Sequence, residues 1–334
     1  MRCLITGGAG FIGSHLSERL LQLGHEVVAI DDLSTGSMEN ILSFRNHSNY
    51  EFHGDSIFDR RLMAELVDLV DIVFHLAAAV GVKRIVDYPV QSIETNVGGT
   101  EIVLELAAKK QRRLIIASTS EIYGKSVKLP FAETDDLVLG STYNNRWAYA
   151  CSKAIDEFLA LAYFREHRLP VTILRLFNTV GPRQTGQYGM VIPTFVRQAL
   201  LQEPVTVFGD GTQSRCFAHV SDIVDGFLTV AADATTAGEI FNLGNTEEIT
   251  IEDLARRIVA LSGSSSVIRY VPYSEAYGPG FEDMARRIPD ITKAQRWLHF
   301  YPKHSLDEIL HDVIGFVRHQ MARKKAIFVT SGIQ

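Results

Sequence analysis

Tyr149 and Lys153 stand four residues apart in Arg146-Trp147-Ala148-Tyr149-Ala150-Cys151-Ser152-Lys153, the one Tyr-x-x-x-Lys among the 11 tyrosines of the chain. On a helix this spacing puts both side chains on one face. A phenol with a pKa near ~10 is a poor base at neutral pH. A neighbouring ammonium, joined by an oxidised nicotinamide ring, favours the phenolate and lowers that value. The phenolate can then take the proton of a substrate hydroxyl while hydride leaves the same carbon. A second polar group, Ser118-Thr119-Ser120-Glu121, runs into Ile122-Tyr123-Gly124 at the end of an apolar run. Ligands collect beyond the carboxyl ends of parallel strands, so these hydroxyls and this carboxylate are expected to face the same cleft. Read alone, the segment is equally a helix cap or a Ser/Thr turn.

A third group reads Gly7-Gly8-Ala9-Gly10-Phe11-Ile12-Gly13. It fits the Gly-x-Gly-x-x-Gly fingerprint of a dinucleotide site, in which glycines allow a tight turn, close approach to a pyrophosphate and helix–strand packing. The helix that follows offers free N–H groups and a partial positive charge to phosphate. Gly7, Gly10, Phe11, Ile12 and Gly13 are therefore expected to line the cofactor. Asp31, 18 residues beyond Gly13, ends the next apolar run, where a carboxylate accepts from ribose hydroxyls and repels a 2′-phosphate. Asp32, Ser34, Thr35 and Gly36 follow it without a nearby arginine, which favours NAD over NADP. Asp55, with Ser56 beside it, follows the expected third strand and could reach the adenine, although aspartates also end strands simply as turn formers.

These groups need a scaffold, and its outline is visible. Short continuous apolar runs at residues 2–6, 26–30, 71–76, 113–117 and 171–176 alternate with helical patterns at 11–23, 90–110 and 147–165. Buried strands alternating with amphipathic helices predict a doubly wound parallel sheet of Rossmann type, covered on both faces. Beyond residue 178 glycine, proline and tyrosine cluster at 181–189, 209–211 and 271–280, while helical patterns persist at 193–202, 222–232, 251–262 and 306–318. The expected organisation is a dinucleotide domain over 1–178, carrying the Tyr/Lys pair, and a smaller α/β substrate domain over 179–334. The tail from residue 323 shows no clear period and is expected to be loose.

Composition narrows the function. The 334 residues are 46% hydrophobic and 22% charged, with net charge −6, an ordinary globular balance that predicts neither a nucleic-acid nor an anionic-membrane surface. No apolar run approaches the ~18 residues of a membrane span, and the first residues lack a secretory signal pattern. Cys3, Cys151 and Cys216 are scattered without metal spacing, so reduced thiols, no metal and a cytoplasmic location are expected.

Together the four motifs resemble the extended short-chain dehydrogenase/reductases, and more narrowly the NAD-dependent nucleotide-sugar epimerases, dehydratases and decarboxylases. The likeness extends through Asp31-Asp-Leu-Ser-Thr-Gly36, His75-Leu-Ala-Ala78, Asn96-Val-Gly-Gly-Thr100, Phe177-Asn-Thr-Val-Gly-Pro-Arg183, Gly209-Asp-Gly-Thr-Gln-Ser-Arg215 and Arg287-Ile-Pro-Asp-Ile291. It implies that bound NAD oxidises C4 of the sugar and is regenerated within the cycle. It also implies that Leu76, Ala77, Ala78 and Asn96 line the cofactor, that Thr119 and Ser120 meet the sugar, and that Asn178, Arg215 and Arg287 hold the diphosphate or a sugar carboxylate. A homodimer built on two long helices and a UDP-sugar substrate belong to the same expectation.

Glu121 bears on the reaction. The resemblance places a small or hydroxylated residue there in 4-epimerases and a glutamate in UDP-glucuronate decarboxylases and some 4,6-dehydratases. Arg146-Trp-x-Tyr-x-x-Ser-Lys153 also resembles decarboxylases. With UDP-glucuronate, C4 oxidation creates a β-keto acid, CO2 loss leaves an enolate, and Glu121 could help protonate C5. UDP-xylose is then the product. The loop from Ala77 through Lys83 and Arg84 is more epimerase-like, so a UDP-glucose or UDP-glucuronate 4-epimerase stays open. So do a 4,6-dehydratase and, in another class, a non-catalytic NAD or nucleotide-sugar sensor on the same fold.

Overall fold

The computed structural model describes residues 1–81, 85, 87–186, 189–276 and 282–330. Lys83 and Arg84, and parts of the glycine- and tyrosine-bearing stretches at 181–189 and 271–280, lie outside the described residues. In chain order the first half runs β1 (Arg2–Thr6), α1 (Phe11–Gln22), β2 (Glu26–Ile30), β3 (Tyr50–His53), α2 (Arg60–Asp68), β4 (Ile72–His75), α3 (Pro89–Lys110), β5 (Arg113–Thr119), α4 (Ala148–His167) and β6 (Val171–Leu176). The second half runs β7 (Thr179–Val180), α5 (Val191–Leu200), β8 (Val205–Phe208), β9 (Ser214–Cys216), β10 (Ala218–His219), α6 (Val220–Ala232), β11 (Ile240–Leu243), β12 (Glu248–Thr250), α7 (Ile251–Ser262), β13 (Ile268–Val271), α8 (Tyr273–Ala276), α9 (Thr292–Leu298) and α10 (Leu306–Thr330).

Seven parallel strands form one sheet in the order β11-β6-β5-β4-β1-β2-β3. The chain winds outward from β1 in one direction and then, from β4, in the other. The crevice at this reversal is where a doubly wound sheet binds its ligand. Continuous apolar strands such as Leu4-Ile5, Val27-Val28 and Leu114-Ile115-Ile116 are buried on both faces. One core joins α1, α6 and α9 to the sheet through Leu16, Leu20, Phe227 and Leu298. The opposite core joins α2, α3 and α4 through Met63, Val103, Leu104 and Ala160. A separate core holds α5, α7, α10 and β8 together around Val196, Leu254 and Leu310.

The chain crosses between these parts more often than a cut at residue 178 implies. Strand β11 pairs with β6 from Ile240↔Ile173 to Leu243↔Leu176, so residues far beyond 178 complete the sheet. The expected loose tail is helical as far as Thr330. Met321, Ala322 and Arg323 are good helix formers, and helix propensity rather than an apolar stripe carries α10 onward.

Candidate active site

The first loop is shaped by missing side chains. Gly7 has φ +73°, and a Cβ on it would lie 2.9 Å from the Ala77 amide nitrogen. A Cβ on Gly13 would lie 2.1 Å from the Gly7 carbonyl oxygen. Gly10 caps α1 with no side-chain hydrogen bond, which leaves the amides of the first turn open to an anion. Phe11 and Ile12 open the helix, half-buried. Asp31 is buried at the end of β2 and accepts from the amides of Ala9 (3.0 Å) and Leu33 (2.8 Å). Burial raises its pKa, and those two amides oppose the rise. Asp32 closes a turn onto the Ser34 amide at 2.9 Å, Thr35 is half-buried, and Gly36 packs so closely that a Cβ would lie 2.7 Å from Asp31 Oδ1. Asp55 is exposed and accepts from the Ser56 amide at 2.8 Å. This cradle of bare backbone around a buried carboxylate fits a dinucleotide.

Leu76, Ala77 and Ala78 leave β4 on the far side of the crevice, half-buried. Thr6 Oγ1 accepts from the amides of Leu76 and Ala77, each at 3.2 Å. Asn96 is buried within the protein rather than turned to the crevice. Its Oδ1 accepts from the Ala79 amide at 2.7 Å, and its Nδ2 donates to Ser152 Oγ at 3.1 Å. It thereby ties this loop to the helix that carries Tyr149.

The residues expected to do chemistry gather at the carboxyl end of β5 and the start of α4. Thr119 closes β5, and its Oγ1 accepts from the Glu121 amide at 3.2 Å, starting a 3-10 turn over Ser120–Tyr123 in which Ser120 is buried. Tyr149 and Lys153 stand one turn apart on α4. A hydrogen bond from Thr119 lowers the Tyr149 pKa, but burial first and the Glu121 charge second outweigh it, and the phenol is pushed above its ordinary value. The Lys153 ammonium meets a carboxylate: Nζ lies 2.8 Å from Asp156 Oδ2, with both side chains buried.

Glu121 also departs from expectation. Burial opposes its ionisation, but the charges of Arg146 and Arg287, with a hydrogen bond from Arg146, override burial and bring its pKa down to about 2. It is therefore a carboxylate at neutral pH and a poor proton donor to C5. Arg146 Nη1 grips Oε2, and Arg287 Nη1 stands 3.5 Å from Oε1. Asp283 accepts from Arg215 Nη2 at 2.8 Å and from Arg146 Nη2 at 3.5 Å. Arg287 is buried, and burial lowers its pKa to about 10 despite Glu121. The Nε atoms of Arg146 and Arg287 are buried without a hydrogen-bond partner among the described residues. Asn178 is linked to this group through backbone: its Nδ2 donates to the Cys216 carbonyl at 2.9 Å, next to Arg215.

The structure thus gathers Thr119, Glu121, Tyr149, Lys153, Arg215 and Arg287. It adds Arg146, Asp156 and Asp283, which the sequence reading did not assign. Arg146 carried a signal, three residues before Tyr149 in the same motif. Asp156 carried one too, at helical spacing from Lys153. Asp283 stands four residues before Arg287, which it meets at 4.0 Å, while its other partners, Arg146 and Arg215, come from distant segments.

A doubly wound sheet, a glycine cradle beside a buried aspartate and a Tyr/Lys helix at the switch point define a nicotinamide-dependent enzyme. Residues 3–244 match the NAD dependent epimerase/dehydratase family, and the chain belongs to it. It is 44% identical over 95% of its length to a UDP-N-acetyl-alpha-D-glucosaminuronate decarboxylase of Bacillus cytotoxicus, covering 98% of that protein. It is 36% identical over 96% of its length to UDP-glucuronic acid decarboxylase 1 of Xenopus tropicalis, covering 73% of that protein. A solved UDP-glucuronic acid 4-epimerase from Bacillus cereus, in complex with UDP-glucuronic acid and NAD, superimposes with TM-score 0.86 at 29% identity, covering 96% of this chain and 100% of that one. The chain is an NAD-dependent enzyme acting on nucleotide sugars. Among the described residues no helix is long and apolar enough to cross a membrane.

Proposed function

We propose that this enzyme decarboxylates a UDP-hexuronate, converting it to the UDP-pentose with release of CO2. The observation that carries this reading is the charge cluster beside Tyr149, in which the buried guanidiniums of Arg146, Arg215 and Arg287 meet, among the described residues, two carboxylates, the buried Glu121 and the more exposed Asp283. A buried surplus of positive charge calls for an anion. It lies two residues from Thr119, at the sugar end of the crevice, and a hexuronate carries its C6 carboxylate there. The diphosphate common to all UDP-sugars meets Arg215, and Arg287 is left for an anion that a neutral hexose lacks at C6.

In this reading Gly7, Gly10, Phe11, Ile12, Gly13, Asp31, Asp32, Ser34, Thr35, Gly36, Asp55, Ser56 and residues 76–78 hold NAD, and Asn96 fixes the last of these in place. When bound, NAD accepts hydride from C4 and returns it at the end of the cycle. Tyr149 takes the O4 proton, and the Thr119 hydroxyl, with Ser120 beside it, keeps that oxygen in register with the phenol. Arg287 holds the C6 carboxylate, while Arg215 and Asn178 hold the diphosphate. Once C4 is a ketone, the C5–C6 bond breaks, CO2 leaves, and its electron pair passes into an enolate that takes a proton at C5. Over the cycle one proton is consumed and one CO2 is released. Glu121 acts as an anionic bracket that orients Arg146 and Arg287.

The 44% identical relative is named for an N-acetylated uronate, so UDP-N-acetylglucosaminuronate is the first substrate to offer, with UDP-glucuronate second. NMR of the products should show a UDP-pentose lacking C6. A C4 epimer with its carboxylate intact would replace this reading by a 4-epimerase. Exposed Ile93 on α3 and exposed Ile155 and Phe158 on α4 favour a homodimer through these two helices, testable by sedimentation. The free cysteines Cys3, Cys151 and Cys216 favour a cytoplasmic enzyme.

A further inference from the structure

The ammonium of Lys153 has a fixed anchor. Asp156, one helical turn further along α4, accepts from Nζ at 2.8 Å, with side-chain exposures of 3% for the lysine and 0% for the aspartate. The anchor continues inward. Burial raises the Asp156 pKa, and the charge and hydrogen bond of Lys153, with a smaller contribution from Thr100 on α3, oppose the rise; Thr100 Oγ1 in turn meets His75 Nε2 at 3.1 Å. His75 Nδ1 meets Thr6 Oγ1 at 2.8 Å, and Thr6 in turn receives the amides of Leu76 and Ala77. The partner of the lysine is therefore built into the same buried polar core that shapes the cofactor loop.

We propose that Asp156 is a positioning residue of the base: its carboxylate holds the Lys153 ammonium in place beside Tyr149 and tempers the pull of that ammonium on the phenol. The proposal rests on Tyr149 and Lys153 as the base pair, and it does not depend on decarboxylation, because C4 oxidation comes first in either case.

A buried ammonium without a counter-charge is costly and seeks a partner. Asp156 is that partner. Its charge also reaches Tyr149, which is faced by Glu121 from the turn after β5, by Arg146 at the entry to α4, and by Asp156 on α4 itself, with Lys153 four residues along the same helix. Burial first, then Glu121 and Asp156, push the phenol up, while Thr119 and Arg146 push it down. Glu157, next along α4, adds negative charge beside Asp156. His75 on β4 contributes none, since burial and then Lys153 lower its pKa to about 3.

The test is the pH dependence of C4 oxidation, read as NADH absorbance in a single turnover of the full chain with UDP-glucuronate. In Asp156→Asn the amide oxygen still accepts from Lys153, but the negative charge is gone. The rise of rate with pH should then move to lower pH by about half a unit or more, with NAD retained. A profile at the wild-type position, or above it, would overturn the proposal. Should the Asn variant not fold, Lys153→Met is compared with Lys153→Met/Asp156→Asn, in which both members of the pair are removed together. The double variant should turn on at lower pH than the single one, and coincident profiles would again overturn the proposal. Wild-type enzyme that forms NADH but releases no CO2 would count against the decarboxylase reading and leave this inference standing.

Discussion

Replacing Glu121 by Gln keeps the shape of the side chain and removes one charge from a cluster of five charged groups, four of them buried. With the carboxylate present, three guanidiniums face two carboxylates; without it, they face Asp283 alone. The Glu121 pKa falls from 4.5 to about 2 on folding. That gap corresponds to roughly 3 kcal/mol at neutral pH. The side chain is only 12% exposed, so solvent screens little of it. For a chain of this length such a loss lowers Tm by about 4 °C. Because folding depresses this pKa, the stabilisation is complete above the unfolded value of 4.5 and fades as pH falls through about 2. Melting curves of the two proteins should therefore differ at neutral pH and converge in strong acid. The same variant should still form NADH from a UDP-hexuronate, while CO2 release drops by about tenfold or more, because Arg146 and Arg287 lose the anion that orients them. A Gln variant that melts with the wild type at neutral pH, or releases CO2 at the wild-type rate, would refute the reasoning.

Tyr149→Phe should keep NAD and substrate yet lose turnover on the order of 10³-fold, and a near-normal kcat would remove Tyr149 as the base. Lys153→Ala leaves the Asp156 carboxylate unopposed near the phenol, so the pH profile of C4 oxidation should shift upward, and an unshifted profile would contradict the charge argument. Gly13→Ala would bring a Cβ to 2.1 Å from the Gly7 carbonyl. The variant should lose NAD, seen as absent nicotinamide in the purified protein, whereas NAD bound at wild-type occupancy would show that the loop yields.

Much of the scaffold was legible because its signals are local. β1, β2 and β6 coincide with their apolar runs, and α7 with its helical pattern. The family and its cofactor followed from motifs that sit at predictable places on such a sheet. The seventh strand was hidden because β11 reaches β6 from far along the chain, and pairing of that kind leaves no mark in the local pattern. The chemistry of Glu121 was hidden for the same reason. Arg146 and Arg287 reach it from 25 and 166 residues away, and only their arrival turns a candidate acid into a fixed carboxylate. The Lys153–Asp156 pair was within reach, since positions three apart on a helix meet. The Tyr149–Lys153 spacing drew attention to the lysine as a partner of the phenol and away from its own counter-charge.

The most direct measurement follows a heavy-carbon label at C6 of UDP-N-acetylglucosaminuronate, and of UDP-glucuronate, through turnover by the wild-type enzyme. The label should leave as CO2, and the sugar nucleotide that remains should have lost that carbon. Label kept on a nucleotide sugar inverted at C4, for both substrates, would contradict the decarboxylase reading.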